Sequence, residues 1–162
     1  MKKLVIFDLD GTLTDSSSGI INGALYALEK CGITETDRRK MYRFIGPPLL
    51  ESFAEYYGLS DEDCKTAVKK YRERYSVTGW AENVPYEGIR ELLATLKEQG
   101  HTLYVATSKP EWMAEEILKK FELDSYFDRI CGATMDTSRT EKSQVIAYLL
   151  GLTGSAENAV MV

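Results

Sequence analysis

Hydrophobic and polar positions along the 162-residue chain change rhythm as it runs. Leu4-Val5-Ile6-Phe7 is an unbroken apolar run closed by Asp8, Asp10 and Gly11, the pattern of a strand buried on both faces in a parallel sheet. Helical spacing then takes over. Ile20, Ile21, Ala24, Leu25 and Leu28 mark one face of a helix, and the run stops at Gly32. Leu49, Leu50, Phe53, Ala54 and Tyr57 repeat that spacing between Pro47-Pro48 and Gly58. Ser60 with Asp63 reads as a capping box, opening a helix whose inner face is Ala67, Val68, Tyr71 and Tyr75. The stretch from about residue 16 to 80 is therefore expected to be helical throughout.

Beyond Pro85 helix and strand alternate. Ile89, Leu92, Leu93 and Leu96 make a helix ended by Gly100, and the β-branched run Thr102 to Thr107 makes a strand. Pro110 suits a helix N1 position, with Met113, Ile117 and Leu118 continuing the face. Arg129 to Ala133 predicts a strand, Val145, Ile146, Leu149 and Leu150 a helix, and Asn158 to Val162 a last strand. This order predicts an α/β fold, a doubly wound Rossmann-like parallel sheet with a helical insertion after its first strand. Residues 1–15 and 82–162 would form the α/β core, and 16–81 the insertion.

Composition narrows the function. A net charge of -5 and scattered Lys and Arg argue against a nucleic-acid or anionic-membrane surface. Cys31, Cys64 and Cys131 are far apart and lack CxxC spacing, which points to reduced core thiols rather than disulfides or zinc. The apolar run after Lys2-Lys3 ends at Asp8, too short for a signal peptide, and no segment has the length of a membrane span. A cytoplasmic protein is expected.

In doubly wound sheets ligands collect beyond the carboxyl ends of the strands. Asp8 and Asp10, two residues apart, would project from the same side there, with Leu9 turned away. Paired carboxylates need a cation or a shared proton to be tolerable, so metal binding or acid catalysis follows. Thr107-Ser108-Lys109 ends the second long strand, where hydroxyls and backbone N–H groups suit a phosphoryl group. Lys142 opens a later helix, an unfavourable place for a cation unless an anion is near. His101, the one histidine, begins a strand away from this edge.

Together these segments carry a resemblance. The stretch Phe7-Asp8-Leu9-Asp10-Gly11-Thr12 resembles the first motif of the haloacid dehalogenase-like (HAD) hydrolases, Leu103 to Pro110 the second, through Thr107, and Arg139 to Ile146 the third, through Lys142. Phe44-Ile45-Gly46-Pro47 is similar to a cap segment of the branch with a C1-type helical cap, which holds phosphoglycolate phosphatases and 5'-nucleotidases. The resemblance implies a Mg2+-dependent phosphomonoesterase, acting through an aspartyl phosphate on a small phosphorylated metabolite of the phosphoglycolate or nucleoside monophosphate class, as a monomer or homodimer. Asp8 would be the nucleophile and Asp10 the general acid and base. Thr107 and Lys142 would hold phosphoryl oxygens, and Asp8 and Asp10 would hold the metal. Gly11, Thr12, Ser108 and Lys109 would line the phosphate, and Arg43 and Gly46 would reach the substrate from the cap. Gly11 would let the backbone turn and bring N–H groups to the phosphate.

The family's fourth motif, an acidic loop that completes the metal site, follows the strand that Asn158 to Val162 is expected to form. No Gly-Asp pair follows here, so the expectation is a truncated form of a longer protein, or weak Mg2+ binding. A phosphomutase on the same scaffold and a non-catalytic phosphate-binding module are the alternatives. A receiver-type phosphoacceptor needs no helical insertion of this size, and carbon–halogen displacement needs no acid such as Asp10.

Overall fold

The computed structural model describes residues 3–136, 138–153 and 158–162. Met1 and Lys2, where the core segment is expected to begin, lie outside the described residues. In chain order the elements are β1 (Leu4–Phe7), β2 (Thr14–Asp15), α1 (Ser17–Lys30), α2 (Leu49–Tyr57), α3 (Asp61–Val77), β3 (Val84–Pro85), α4 (Ile89–Glu98), β4 (Thr102–Pro110), α5 (Glu111–Lys120), β5 (Arg129–Ala133), α6 (Lys142–Thr153) and β6 (Ala159–Met161). A 3-10 helix spans Arg38–Phe44.

A four-stranded sheet has the order β5-β4-β1-β6, and all its pairings are parallel. This is the doubly wound architecture that the alternation predicts. β1 sits inside the sheet, with Phe7 opposite Val105 of β4 and Leu4 opposite Ala159 of β6. Both faces of β1 are covered, and Val5, Ile6 and Phe7 are buried, which explains the unbroken apolar run. α6 packs Val145 and Leu149 onto Ile6, Ala106 and Cys131. β4 runs past the expected end at Thr107 to Pro110, so Pro110 is the N-cap of α5 rather than its first helical residue.

The chain divides into two compact units, Met1–Asp15 with Val84–Val162, and Ser16–Asn83. The second unit is helical, as expected. Ile21, Ala24 and Leu28 of α1, Met41 and Phe44 of the 3-10 helix, Phe53 of α2, and Cys64, Ala67 and Tyr71 of α3 share one buried cluster. The Ser60 hydroxyl accepts from the Asp63 N–H at 3.2 Å and caps α3. Gly58, with φ of 62°, ends α2 in the left-handed conformation. The three cysteines are free, and burial raises each thiol above its usual range. Among the described residues no helix is long and apolar enough to cross a membrane.

The helical unit extends to Asn83 because its last residues bond within it. Arg74 donates to both oxygens of Glu82 at 3.0 and 2.7 Å, Asn22 donates to Glu82 at 3.2 Å, and the Asn83 side chain donates to the Trp80 carbonyl at 2.9 Å. The Arg74 guanidinium lowers the Glu82 carboxyl below its ordinary value. A carboxyl whose folded pKa is depressed adds stability that is present above the unfolded value and is lost as pH falls through the folded one. Urea unfolding should therefore show a stability plateau above about pH 5 and a loss below about pH 4. Glu82→Gln is expected to lower the plateau by about 1 kcal/mol and to flatten the acid slope. An unchanged acid slope in that variant would refute the assignment.

Candidate active site

β1 ends at Phe7, and the chain turns at once. Three consecutive N–H groups, of Thr12, Leu13 and Thr14, converge on the Leu9 carbonyl at 3.2, 2.9 and 3.1 Å. Leu9 is fully buried, while Asp8 and Asp10 are half-buried, the same-side placement that i and i+2 spacing requires. Gly11 takes φ of 80°, a conformation open to glycine at no steric cost. Its N–H donates to the Thr14 carbonyl at 2.8 Å. The Gly11 and Thr12 amides thus both take part in closing the turn, in which Gly11 supplies the left-handed conformation.

Both oxygens of Asp8 are engaged. Oδ1 accepts from the Leu9 N–H at 2.8 Å, and Oδ2 pairs with the Lys142 ammonium. Asp10 is held differently. Its Oδ2 lies 3.1 Å from the Lys109 ammonium, and its Oδ1 is buried without a hydrogen-bond partner. Two carboxylates thus face two ammonium groups, which removes the repulsion that a bare acidic pair would suffer.

β4 lies beside β1 and delivers Thr107 and Lys109 to the same edge. Their burial alternates along the extended chain: Thr107 and Lys109 are buried and Ser108 is exposed. The Thr107 hydroxyl accepts from the Lys109 N–H at 3.2 Å, which leaves its own hydrogen to donate. Lys109 carries an ammonium on a side chain only 4% exposed, and a cation so buried needs a counter-charge. Asp10 supplies it.

Lys142 is the first residue of α6. The Gln144 side chain accepts from the N–H groups of Thr140 and Glu141 at 2.9 and 3.0 Å and caps the turn before the helix. Arg139, three residues before Lys142, anchors this turn. It donates to the Gly132 carbonyl at 2.8 Å, pairs with Glu111 at 2.7 Å and lies 3.9 Å over the Tyr148 ring. Glu111 also accepts from the Gly132 N–H at 3.1 Å. Gly132 permits this junction, since a Cβ there would lie 2.6 Å from both the Glu111 Cα and the Lys109 carbonyl oxygen. The anchoring by Arg139 and Glu111 goes beyond the sequence reading. Its one local signal is an arginine three residues before the motif lysine.

The structure brings Asp8, Asp10, Thr107, Lys109 and Lys142 together at the carboxyl edge of the sheet. Arg43 and Gly46 belong to the helical unit. There the Arg43 guanidinium lies 4.4 Å over the Tyr56 ring and 5.6 Å from Tyr57, and Gly46 takes φ of 108°. His101 accepts from the Lys3 N–H at 3.1 Å at the opposite end of β4. Asp8 and Asp10 offer hard oxygen donors of the kind that Mg2+ takes, an ion that keeps waters and uses only one or two carboxylates. The donor set fits on chemistry. Among the described residues no group of three or more His, Cys, Asp or Glu could hold a metal.

Comparison with known proteins agrees with this geometry. The family model described as haloacid dehalogenase-like hydrolase matches residues 5–162. A protein of Pseudomonas aeruginosa named 5'-nucleotidase is 46% identical over 159 residues, which cover 98% of this chain and 72% of that protein. Tyrosine-protein kinase PtkA of Mycobacterium tuberculosis is 42% identical over 161 residues, 99% of this chain and 55% of that protein. The chain thus spans little more than half the length of PtkA. The crystal structure of a candidate phosphatase from Clostridium difficile superimposes with a TM-score of 0.91 at 44% identity, covering 99% of this chain and 75% of that one. With its motifs in order on a parallel sheet and with these matches, the chain belongs to the haloacid dehalogenase-like hydrolase family.

Proposed function

We propose that this protein is a phosphomonoester hydrolase for a small phosphorylated metabolite and that it works through a phosphoryl group carried on Asp8. One observation carries the reading: a carboxylate at the end of β1, paired with Lys142, stands two residues from a second carboxyl with a buried, unpartnered oxygen. Asp8 attacks phosphorus as the bond to the leaving oxygen breaks, and Asp10 protonates that oxygen. Asp10 then takes a proton from water as the water oxygen displaces Asp8 from phosphorus. Thr107 and Lys142 hold non-bridging oxygens and neutralise charge that builds in the transition state, the main resource for phosphoryl transfer. The Asp8 carboxylate and the Asp10 backbone carbonyl would hold Mg2+, which when bound supplies further charge neutralisation on the phosphoryl oxygens.

The helical unit is read as the cap that selects the substrate, with Arg43 and Gly46 as its candidate contacts. The name of the Pseudomonas relative favours the nucleoside monophosphate class over phosphoglycolate. The test is release of inorganic phosphate from nucleoside monophosphates, phosphoglycolate, sugar phosphates and nitrophenyl phosphate, with Mg2+ and with chelator. Magnesium-dependent release with a preference for nucleoside monophosphates is the expected outcome. Isomerised sugar phosphate without released phosphate would point to a mutase, and binding of phosphate without turnover would point to a non-catalytic module.

A further inference from the structure

Arg139 precedes Lys142 by three residues, where an arginine could itself bind a phosphoryl group, yet its side chain is only 11% exposed and its donors face the protein. Nε donates to the Gly132 carbonyl at 2.8 Å, a terminal nitrogen donates to Glu111 Oε2 at 2.7 Å, and the guanidinium lies 3.9 Å over the Tyr148 ring. Those partners belong to β5, α5 and α6. We propose that Arg139 is a positioning residue for phosphoryl transfer, one that fixes where Lys142 stands relative to Thr107 without itself touching the substrate. This rests on the phosphatase reading of the site.

Thr107 and Lys142 reach the site from different elements. Thr107 lies on β4, which passes into α5 at Pro110 and Glu111. Lys142 opens α6, after the loop that leaves β5. Val145 and Leu149 hold α6 on the sheet one and two turns further along, so this packing leaves the first turn to be placed by the residues before it. Those residues are well bonded among themselves. The Arg139 N–H donates to the Thr134 hydroxyl at 3.0 Å, the Thr134 N–H donates to the Arg139 carbonyl at 2.8 Å, and Gln144 takes the N–H groups of Thr140 and Glu141. These bonds shape the loop, and the Arg139 side chain ties it to the junction of β4 and α5. Glu111 completes the tie, because the oxygen that receives Arg139 also accepts from the Gly132 N–H at 3.1 Å. One guanidinium and one carboxylate thus take both the N–H and the C=O of Gly132, as a neighbouring strand would. Among the described residues β5 is an edge strand of the sheet, where such groups are otherwise open. A planar fork meets the carbonyl, the carboxylate and the ring together, which a single ammonium does not do.

A double-mutant cycle separates positioning from general support of the fold. Arg139→Met keeps an unbranched stem beside Tyr148 and removes every donor. It is expected to lower kcat/KM about 30-fold for each phosphomonoester that the wild type hydrolyses, since displacing a catalytic group by about 1 Å costs rate on this scale. In a Lys142→Met background the same change is expected to cost less than about 3-fold, because no ammonium is left to place. Binding of inorganic phosphate, followed by calorimetry, gives a second readout: Arg139→Met should weaken it about tenfold in the wild-type background and leave it unchanged in Lys142→Met. A smaller folded fraction would instead lower both backgrounds by the same factor. Arg139→Lys, which keeps the charge but not the fork, serves if the methionine variant gives no soluble protein, and its loss should also vanish in the Lys142→Met background. Equal losses in the two backgrounds, or no loss in either, would overturn the role of Arg139 and leave the phosphatase reading intact. A wild type that releases phosphate from none of the esters would overturn both.

Discussion

Replacing Asp8 with asparagine is expected to lower phosphate release by about ten-thousand-fold and to abolish any covalently phosphorylated protein. The change is nearly isosteric. The amide oxygen still accepts the Leu9 N–H now bound at 2.8 Å, so the turn after β1 should survive. What disappears is the charge that makes the oxygen nucleophilic, together with the counter-charge of Lys142. The amide nitrogen also presents hydrogens to an ammonium that needs an acceptor. Two measurements check this: steady-state phosphate release, and the intact mass of protein quenched in acid during turnover, where an acyl phosphate survives. Wild type should carry one added phosphoryl group and Asp8→Asn none. If the variant kept its turnover, or wild type accumulated the group on another residue, Asp8 would not be the nucleophile.

Most of this arrangement was legible because local rules and the fold agree. The apolar run before Asp8 predicts a doubly covered strand, and β1 lies between β4 and β6 with Val5, Ile6 and Phe7 buried. The alternation of two in an extended chain placed Asp8 and Asp10 on one side of Leu9. The same rule could have found Lys109. Ending the second long strand at Thr107 and opening a helix at Pro110 left Lys109 in a turn, where lysines are commonly solvated. β4 instead runs on to Pro110, and the alternation carries Lys109 inward with Thr107.

Other features have no local signature. The Glu111 to Arg139 pair joins residues 28 apart in sequence, and it exists only because Gly132 lets β5 approach the start of α5. Hydrogen-bond commitments are equally invisible from composition. In the Asp-Gly-Thr turn the amides of Gly11 and Thr12 are bonded to the carbonyls of Thr14 and Leu9.

Lys142→Met is the second large effect expected, about 1,000-fold in kcat/KM for every phosphomonoester tested. Lys142 meets Asp8 across 134 residues of sequence. It serves two anions in turn: the carboxylate before attack, and the phosphoryl oxygens as negative charge shifts onto them. Removing it therefore weakens the approach of substrate and the stabilisation of the transition state together. The affinity of inorganic phosphate, measured by calorimetry, should fall with turnover. Lys142→Arg should recover only part of the activity, because a planar fork replaces a compact ammonium. Because Asp8 and Lys142 act as one unit, Asp8→Asn with Lys142→Met should be no slower than Asp8→Asn alone. Losses that multiplied in the double variant would show that the two residues act on separate steps, and the paired site would have to be abandoned.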